Sequence, residues 1–140
     1  MASSRLNALE AEAKTWISAI LEEPLDDQRL QPQLKSGVVL CNLANKLVPG
    51  SCPKPSLSTN QFAQRENVEA ALAAAKIIGV PTHDLFRPED VLEEGGPAWQ
   101  RVLINIHSLG RVVQRRPGYS GPLLGGRNTT PRKAKGVPPP

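Results

Sequence analysis

Residues 35–49 restrict the fold of this chain more than any other segment, and they read Lys-Ser-Gly-Val-Val-Leu-Cys-Asn-Leu-Ala-Asn-Lys-Leu-Val-Pro. Apolar residues recur here at helical spacing, at Val39, Leu40, Leu43, Ala44, Leu47 and Val48, and Val38 and Cys41 widen the apolar surface. Ser36 is predicted to be the N-cap, and Pro49 followed by Gly50 predicts the end of the helix. A helix that is apolar on most sides needs other helices around it. We therefore expect a buried central helix.

Three further amphipathic helices are predicted around it, so the fold class is all-α, with four main helices and short connecting helices. The first ends before Pro24 and carries Leu6, Leu9, Ala13, Trp16, Ile17, Ile20 and Leu21 on one face. The next begins at Asn60 or Thr59, and its predicted buried face contains Phe62, Val68, Leu72, Ala75 and Ile78. The last begins at Pro97, and its predicted buried face contains Trp99, Val102, Leu103, Ile106, Leu109 and Val113. Because Trp16 and Trp99 lie on apolar faces, we predict that they are core residues.

Charge is distributed unevenly along the chain, which has 140 residues and a net charge of +4. Residues 1–110 carry a net charge of −3, whereas residues 111–140 carry +7 and no acidic residue. The seven cations are Arg111, Arg115, Arg116, Arg127, Arg132, Lys133 and Lys135. This asymmetry indicates an acidic partner for the basic end. The first three arginines also lie where cations complement a helix C-terminus, so a purely structural role for them stays open.

Composition changes at Pro117, since residues 117–140 hold 6 of the 14 prolines and 5 of the 11 glycines. So few apolar residues cannot offset the entropy lost on ordering, and we expect most of this segment to be a disordered basic tail. The predicted domain therefore covers residues 3–116. Within the tail, Thr130 precedes a proline and basic residues, which is typical of a proline-directed phosphorylation site. Inside the last helix, Gly110 indicates either close packing against another helix or a loosened helix end.

Several functions have no support in the sequence. The chain has no apolar run of roughly 18 residues, as a transmembrane helix requires. His83, His107, Cys41 and Cys52 lack the close spacing of metal ligands, and no nucleotide-binding or nucleophile motif is present. We therefore expect no enzyme, no cofactor, no bound metal and a reduced, cytoplasmic protein. The basic residues have no interleaved aromatics, which argues against specific nucleic-acid binding, although a tail of this charge would attract polyanions weakly.

The order and spacing of five segments resemble the calponin-homology domain, in its single-copy calponin/transgelin-like type. These segments are Trp16-Ile17; residues 34–43; Phe62 with Glu66-Asn67-Val68 and Gly79-Val80; Asp84-Leu85-Phe86 with Asp90-Val91-Leu92-Glu93; and residues 102–109. The resemblance covers roughly residues 3–116.

The resemblance implies a helical domain that binds cytoskeletal or signalling proteins and has no active site. It implies actin filaments as the first expected partner. The tail lacks a calponin-type repeat, so we expect weak binding by a monomer associated with the cytoskeleton. Two alternatives are a signalling scaffold with a phospho-regulated tail and a microtubule-associated calponin-homology protein.

Overall fold

The structure, a computed structural model, describes residues 2–25, 29–91 and 96–124. Five α-helices lie in these ranges: α1 (Ala2–Leu21), α2 (Leu30–Leu34), α3 (Val38–Leu47), α4 (Gln61–Ile78) and α5 (Gly96–Gln114). Two short 3₁₀ helices, Thr82–Asp84 and Pro88–Val91, connect α4 to α5. No strand occurs in the described part of the chain. The prediction of an all-α fold with four main helices is thus confirmed.

The core lies between α3, which packs on α1, α2 and α4, and α5, which packs on α1, α4 and both 3₁₀ helices. The largest fully buried side chains are Trp16, Trp99, Ile17, Leu30, Leu34, Leu43, Leu103 and Ile106. The two tryptophans are therefore core residues, as predicted. α3 is not the only central helix, because α5 is at least as deeply buried. Val38 and Val39 of α3 are only half-buried, whereas Val102, Leu103 and Ile106 of α5 are fully buried.

The start of α3 differs from the prediction that Ser36 caps it. Gly37 occupies the N-cap position with φ +79°, and Ser36 Oγ accepts a hydrogen bond from the Val38 N–H instead. A side chain at Gly37 would also collide with its neighbour, since an added Cβ would lie 2.5 Å from Cβ of Asn67. Glycine is required here both by the left-handed backbone and by the close approach of α4.

Asn67 joins the start of α3 to the loop that precedes α4. Its Nδ2 donates to the carbonyl oxygens of Ser36 and Ser56, each at 2.9 Å, and its Oδ1 accepts from the Ser56 N–H at 2.9 Å. Its side chain is buried and has every polar group satisfied, so it links three segments without an unpaired donor or acceptor.

The helix α4 begins as predicted at Asn60, whose Oδ1 accepts from the N–H groups of Phe62 and Ala63. The prediction that Phe62 is buried is wrong, because this side chain is 77% exposed. Phe62 precedes the buried Ile78 by 16 residues, which places the two about 160° apart around the helix. This spacing could have excluded Phe62 from the buried face.

Residues 117–124, here named the clasp, follow α5 and lie against the helices. Leu124 is buried and Tyr119 is partly buried against the core cluster. The clasp belongs to the segment for which we expected little packing. Tyr119, Leu123 and Leu124 are three of the few apolar residues in segment 117–140, and all three lie in the clasp. Most of the apolar surface of the segment is therefore in these eight residues.

Candidate partner-binding surface

The outer face of α5 carries the first two predicted cations. Ile104 and Arg111 are seven residues apart and so lie on one side of α5, and Arg115 follows directly after the helix ends at Gln114. We call these three residues the α5 stripe. All three are exposed. Among the described residues, no acidic group lies within salt-bridge distance of Arg111 or Arg115. The stripe therefore presents two solvated guanidinium groups beside an exposed aliphatic side chain.

The third predicted cation has a different role. Arg116 Nη1 donates to the carbonyl oxygen of Ile78 at 3.1 Å, at the C-terminal end of α4. The last carbonyls of a helix lack intrahelical donors, and a guanidinium group there satisfies one of them and complements the helix dipole. For Arg116 the structure shows a contact of the structural kind that the sequence left open beside partner binding. Arg116 connects the ends of α4 and α5, whereas Arg111 and Arg115 make no such bond to the described residues.

The remaining predicted site residues, Arg127, Arg132, Lys133 and Lys135, lie outside the described residues, as does Thr130.

Two buried carboxylates hold the surrounding helices in place. Asp90, which is fully buried, accepts hydrogen bonds from Nε and Nη2 of Arg101, each at 3.1 Å, and from the Arg87 N–H at 2.9 Å. The hydrogen bonds from Arg101 lower the pKa of Asp90 most, and they outweigh burial, which would raise it. This bidentate pair ties α5 to the 3₁₀ helix Pro88–Val91.

Glu10 links three helices in a comparable way. One carboxylate oxygen, Oε2, accepts from the Leu30 N–H at 2.7 Å, and the other, Oε1, accepts from Nε1 of Trp99 at 3.2 Å. Arg29 donates to both oxygens from the start of α2. Burial would raise the pKa of Glu10, but these donors outweigh it and hold the pKa below its ordinary value. The charge of Glu10 is thus satisfied within the fold.

His107 lies on α5 beside the stripe, four residues before Arg111, whereas His83 and the two cysteines lie on other segments. His107 forms a hydrogen bond from Nε2 to the carbonyl oxygen of Leu9 at 3.0 Å, and His83 is exposed. Both cysteines are buried thiols, and burial together with the neighbouring Cys52 thiol raises the pKa of Cys41 to about 12. Within residues 2–25, 29–91 and 96–124, no cluster of three or more His, Cys, Asp or Glu side chains could hold a metal ion. None of the described helices has the length and apolar character to cross a bilayer.

Sequence reasoning missed two exposed apolar side chains near the start of α4. Leu57 is 80% exposed, and it lies five residues before the exposed Phe62. Hydroxyl and amide side chains hold the connecting backbone: Ser56 Oγ accepts from the Ser58 N–H, and Ser58 Oγ accepts from the Asn60 N–H. The alternation of Ser and Asn at 56, 58 and 60 was the available signal for such turns.

The described parts of the chain thus form a helical domain. A family model described as the calponin homology (CH) domain matches residues 7–115. The chain belongs to the calponin homology domain family, which confirms the resemblance seen in the sequence.

Three relatives extend this comparison. Myophilin of Echinococcus granulosus is 40% identical over 126 residues, which make up 89% of this chain and 65% of myophilin. Muscle-specific protein 20 of Drosophila melanogaster is 37% identical over 126 residues, 89% of this chain and 67% of that protein. Rac guanine nucleotide exchange factor B of Dictyostelium discoideum is 36% identical over 121 residues, 86% of this chain but only 10% of that protein. The chain thus spans about two thirds of the first two relatives.

Proposed function

We propose that this chain is a non-enzymatic cytoskeletal module that binds actin filaments weakly through the outer face of α5. The observation that carries the proposal is the exposed pair Arg111 and Arg115 beside Ile104, without an acidic partner among the described residues. Membership of the calponin homology family and the likeness to myophilin and to muscle-specific protein 20 support the cytoskeletal class. We further propose that the protein acts as a cytoplasmic monomer.

The basic residues that follow Leu124 would add to this attraction. Arg127, Arg132, Lys133 and Lys135 contribute four positive charges, with no acidic residue among them. Charges in water attract over about 8 Å at physiological ionic strength, so binding that depends on them weakens as salt is added. Phosphorylation of Thr130 would add about −1.5 to −2 charges within this cluster. Modification of Thr130 is therefore expected to weaken filament binding.

Co-sedimentation of the full chain with actin filaments, and separately with microtubules, tests this proposal. We expect weak pelleting with actin that decreases as salt is added, and a clear further decrease for Arg111→Glu combined with Arg115→Glu. Lys46→Glu with Lys54→Glu is the matched control, because both lysines are exposed elsewhere and the change in net charge is the same. Arg116 is left intact, since its contact with Ile78 stabilises the fold.

Equal pelleting of both double variants would show that net charge, and not the α5 stripe, determines binding. Pelleting with microtubules alone would overturn the proposal in favour of the microtubule alternative.

A signalling scaffold is the second candidate function. It is favoured by the relative that is a Rac guanine nucleotide exchange factor, in which the matched region is a small part of a longer protein. Such a scaffold would dock through the helical domain by shape, so its binding would be insensitive to salt and to charge reversal at Arg111 and Arg115. The same variants therefore separate the two functions.

A further inference from the structure

The clasp is attached to the helices by its backbone at two points. Trp16 of α1 donates from Nε1 to the carbonyl oxygen of Pro122 at 3.1 Å. Further along, the Leu124 N–H donates to Oε1 of Gln114 at the end of α5. One bond is therefore made to each of the two helices, and we call the surface between these two points, against which the clasp lies, the groove between α1 and α5.

The Leu124 side chain fills a notch that Gly110 creates in α5. A Cβ added to Gly110 would lie 2.6 Å from Cδ2 and 3.0 Å from Cβ of Leu124. Atoms of this size cannot approach so closely, so only glycine leaves room for the leucine. The sequence predicted either close packing at Gly110 or a loosened helix end. Close packing is observed, although the neighbour is the clasp and not another helix.

The clasp also has internal structure that suits it to this groove. The Tyr119 hydroxyl donates to the Pro122 carbonyl oxygen, which is the same oxygen that Trp16 uses. Gly121 allows the ring to fold back, because a Cβ there would lie 2.7 Å from the tyrosine hydroxyl oxygen. Tyr119, Pro122 and Leu124 thus act together as one short recognition element.

The first part of the clasp buries little surface, because residues 117–122 are all exposed or half-buried. A cleft of about 450 Å³, open to solvent, is lined by residues 116–122 and by Ile20, Leu47 and Val113. Segments of this kind open at lower free energy than the core does.

We propose that the groove between α1 and α5 is a docking site for a short segment of the Tyr-x-x-Pro-Leu-Leu kind, which this chain keeps closed with its own clasp. An incoming segment of the same chemistry would place a leucine in the Gly110 notch and a carbonyl oxygen at Nε1 of Trp16. It can bind only after the clasp has left. This inference does not depend on filament binding by the α5 stripe.

Amide exchange measured by NMR on the full chain tests the first half of the proposal, because the chain has two tryptophans and hence two indole N–H signals. The Trp16 indole binds the clasp, whereas the Trp99 indole binds Glu10 in the core. In Leu124→Ala we expect Trp16 exchange to rise at least about tenfold, since the notch loses the leucine that anchors the clasp. Trp99 exchange should stay unchanged. Leu123→Ala is the matched control, because Leu123 is only half-buried.

Gly110→Ala should have the same effect as Leu124→Ala, since the added Cβ fills the notch from the other side. Unchanged Trp16 exchange in the Leu124→Ala chain would show that the clasp is not held by the notch. A joint rise of both indole rates would show that the clasp is not separable from the core. Either result overturns the proposal.

The second half is tested with a synthetic peptide of residues 117–126 added to the Leu124→Ala chain. Tethered segments act at effective concentrations of about 1 mM or more, so the peptide is supplied in that range. We expect it to return the Trp16 indole signal towards its wild-type position and exchange rate. A peptide with alanine in place of its last leucine, and a chain that also carries Gly110→Ala, should show no return. Failure of the wild-type peptide would mean that the groove holds only the covalently attached clasp, which refutes the docking site.

Discussion

Substitution of Glu10 should destabilise the domain strongly, because its carboxylate is the common acceptor for α2 and α5. Each oxygen accepts a different buried donor, Oε2 from the Leu30 N–H and Oε1 from the Trp99 indole. Glu10→Ala leaves both donors without a partner. A buried donor left unsatisfied costs about 1–3 kcal/mol, so the two together cost about 2–6 kcal/mol. This is a large share of the about 5–15 kcal/mol that stabilises a typical domain.

Glu10→Gln removes the negative charge of the side chain and keeps nearly the same size and shape. A glutamine side chain has one oxygen where the carboxylate has two, so its NH₂ group must face one of the two donors. At least one donor then loses its acceptor, and we expect a loss of about 1–3 kcal/mol. The Arg29 ion pair adds little to this figure, since the Arg29 side chain is 61% exposed.

The effect should depend on pH in a defined direction. The pKa of Glu10 is lowered in the folded state, so its charge stabilises the fold above the unfolded pKa of about 4.3. That contribution is lost as the pH falls through the folded-state pKa. The stability difference between wild type and Glu10→Gln should therefore be largest at neutral pH and shrink below about pH 4.

Urea denaturation followed by far-UV circular dichroism measures these differences. Glu12 is the matched control, because it lies on the same helix and is exposed. Glu12→Ala and Glu12→Gln should change the free energy of unfolding by no more than about 0.5 kcal/mol. If Glu10→Ala costs no more than Glu12→Ala, or if the difference grows on acidification, the carboxylate does not join the helices as described.

Two further predictions concern the backbone and the α4 end. Gly37→Ala should lower the free energy of unfolding, measured by urea denaturation, more than Gly50→Ala does. Both glycines have left-handed φ values, at which an alanine costs about 1–2 kcal/mol. Only at Gly37 would the added Cβ also collide with Asn67, and such overpacking costs about 1–3 kcal/mol more. Equal losses would remove the role assigned to Asn67. Arg116→Ala should lower the free energy of unfolding by about 0.5–1.5 kcal/mol, because the hydrogen bond to Ile78 is lost. Arg115→Ala should change it by no more than about 0.5 kcal/mol, and thermal unfolding measures both values.

Sequence periodicity was sufficient for features that depend on one helix alone. The recurrence of apolar residues every three or four positions identified the buried faces around Trp16 and Trp99, which are 2% and 1% exposed. Asn60 was recognisable as an N-cap because its acceptor lies within reach of N–H groups two and three residues ahead. Phe62 was wrongly predicted to be buried, because the prediction used its apolar character and did not consider its angular position around α4.

Features that depend on contacts between distant segments could not be read from periodicity. The need for glycine at position 37 arises from Asn67, thirty residues away, and the need for glycine at 110 arises from Leu124 in another segment. Composition predicted little packing for the clasp because it averages over residues 117–140. The few apolar residues of that segment are grouped where they can reach α1 and α5.

The basic end of α5 shows how the same residue type acquires two roles. In sequence, Arg111, Arg115 and Arg116 are equivalent cations near a helix C-terminus, and the helix dipole explains all three equally well. Their contacts separate them, because Arg116 bonds to the Ile78 carbonyl oxygen, whereas Arg111 and Arg115 are exposed and have no such bond to the described residues. A charge reversal at Arg115 and Arg116 together would therefore mix a loss of stability with a loss of binding. Reversal at Arg111 and Arg115 leaves the Ile78 contact intact, so a loss of filament binding in a variant that keeps its stability can be assigned to that surface.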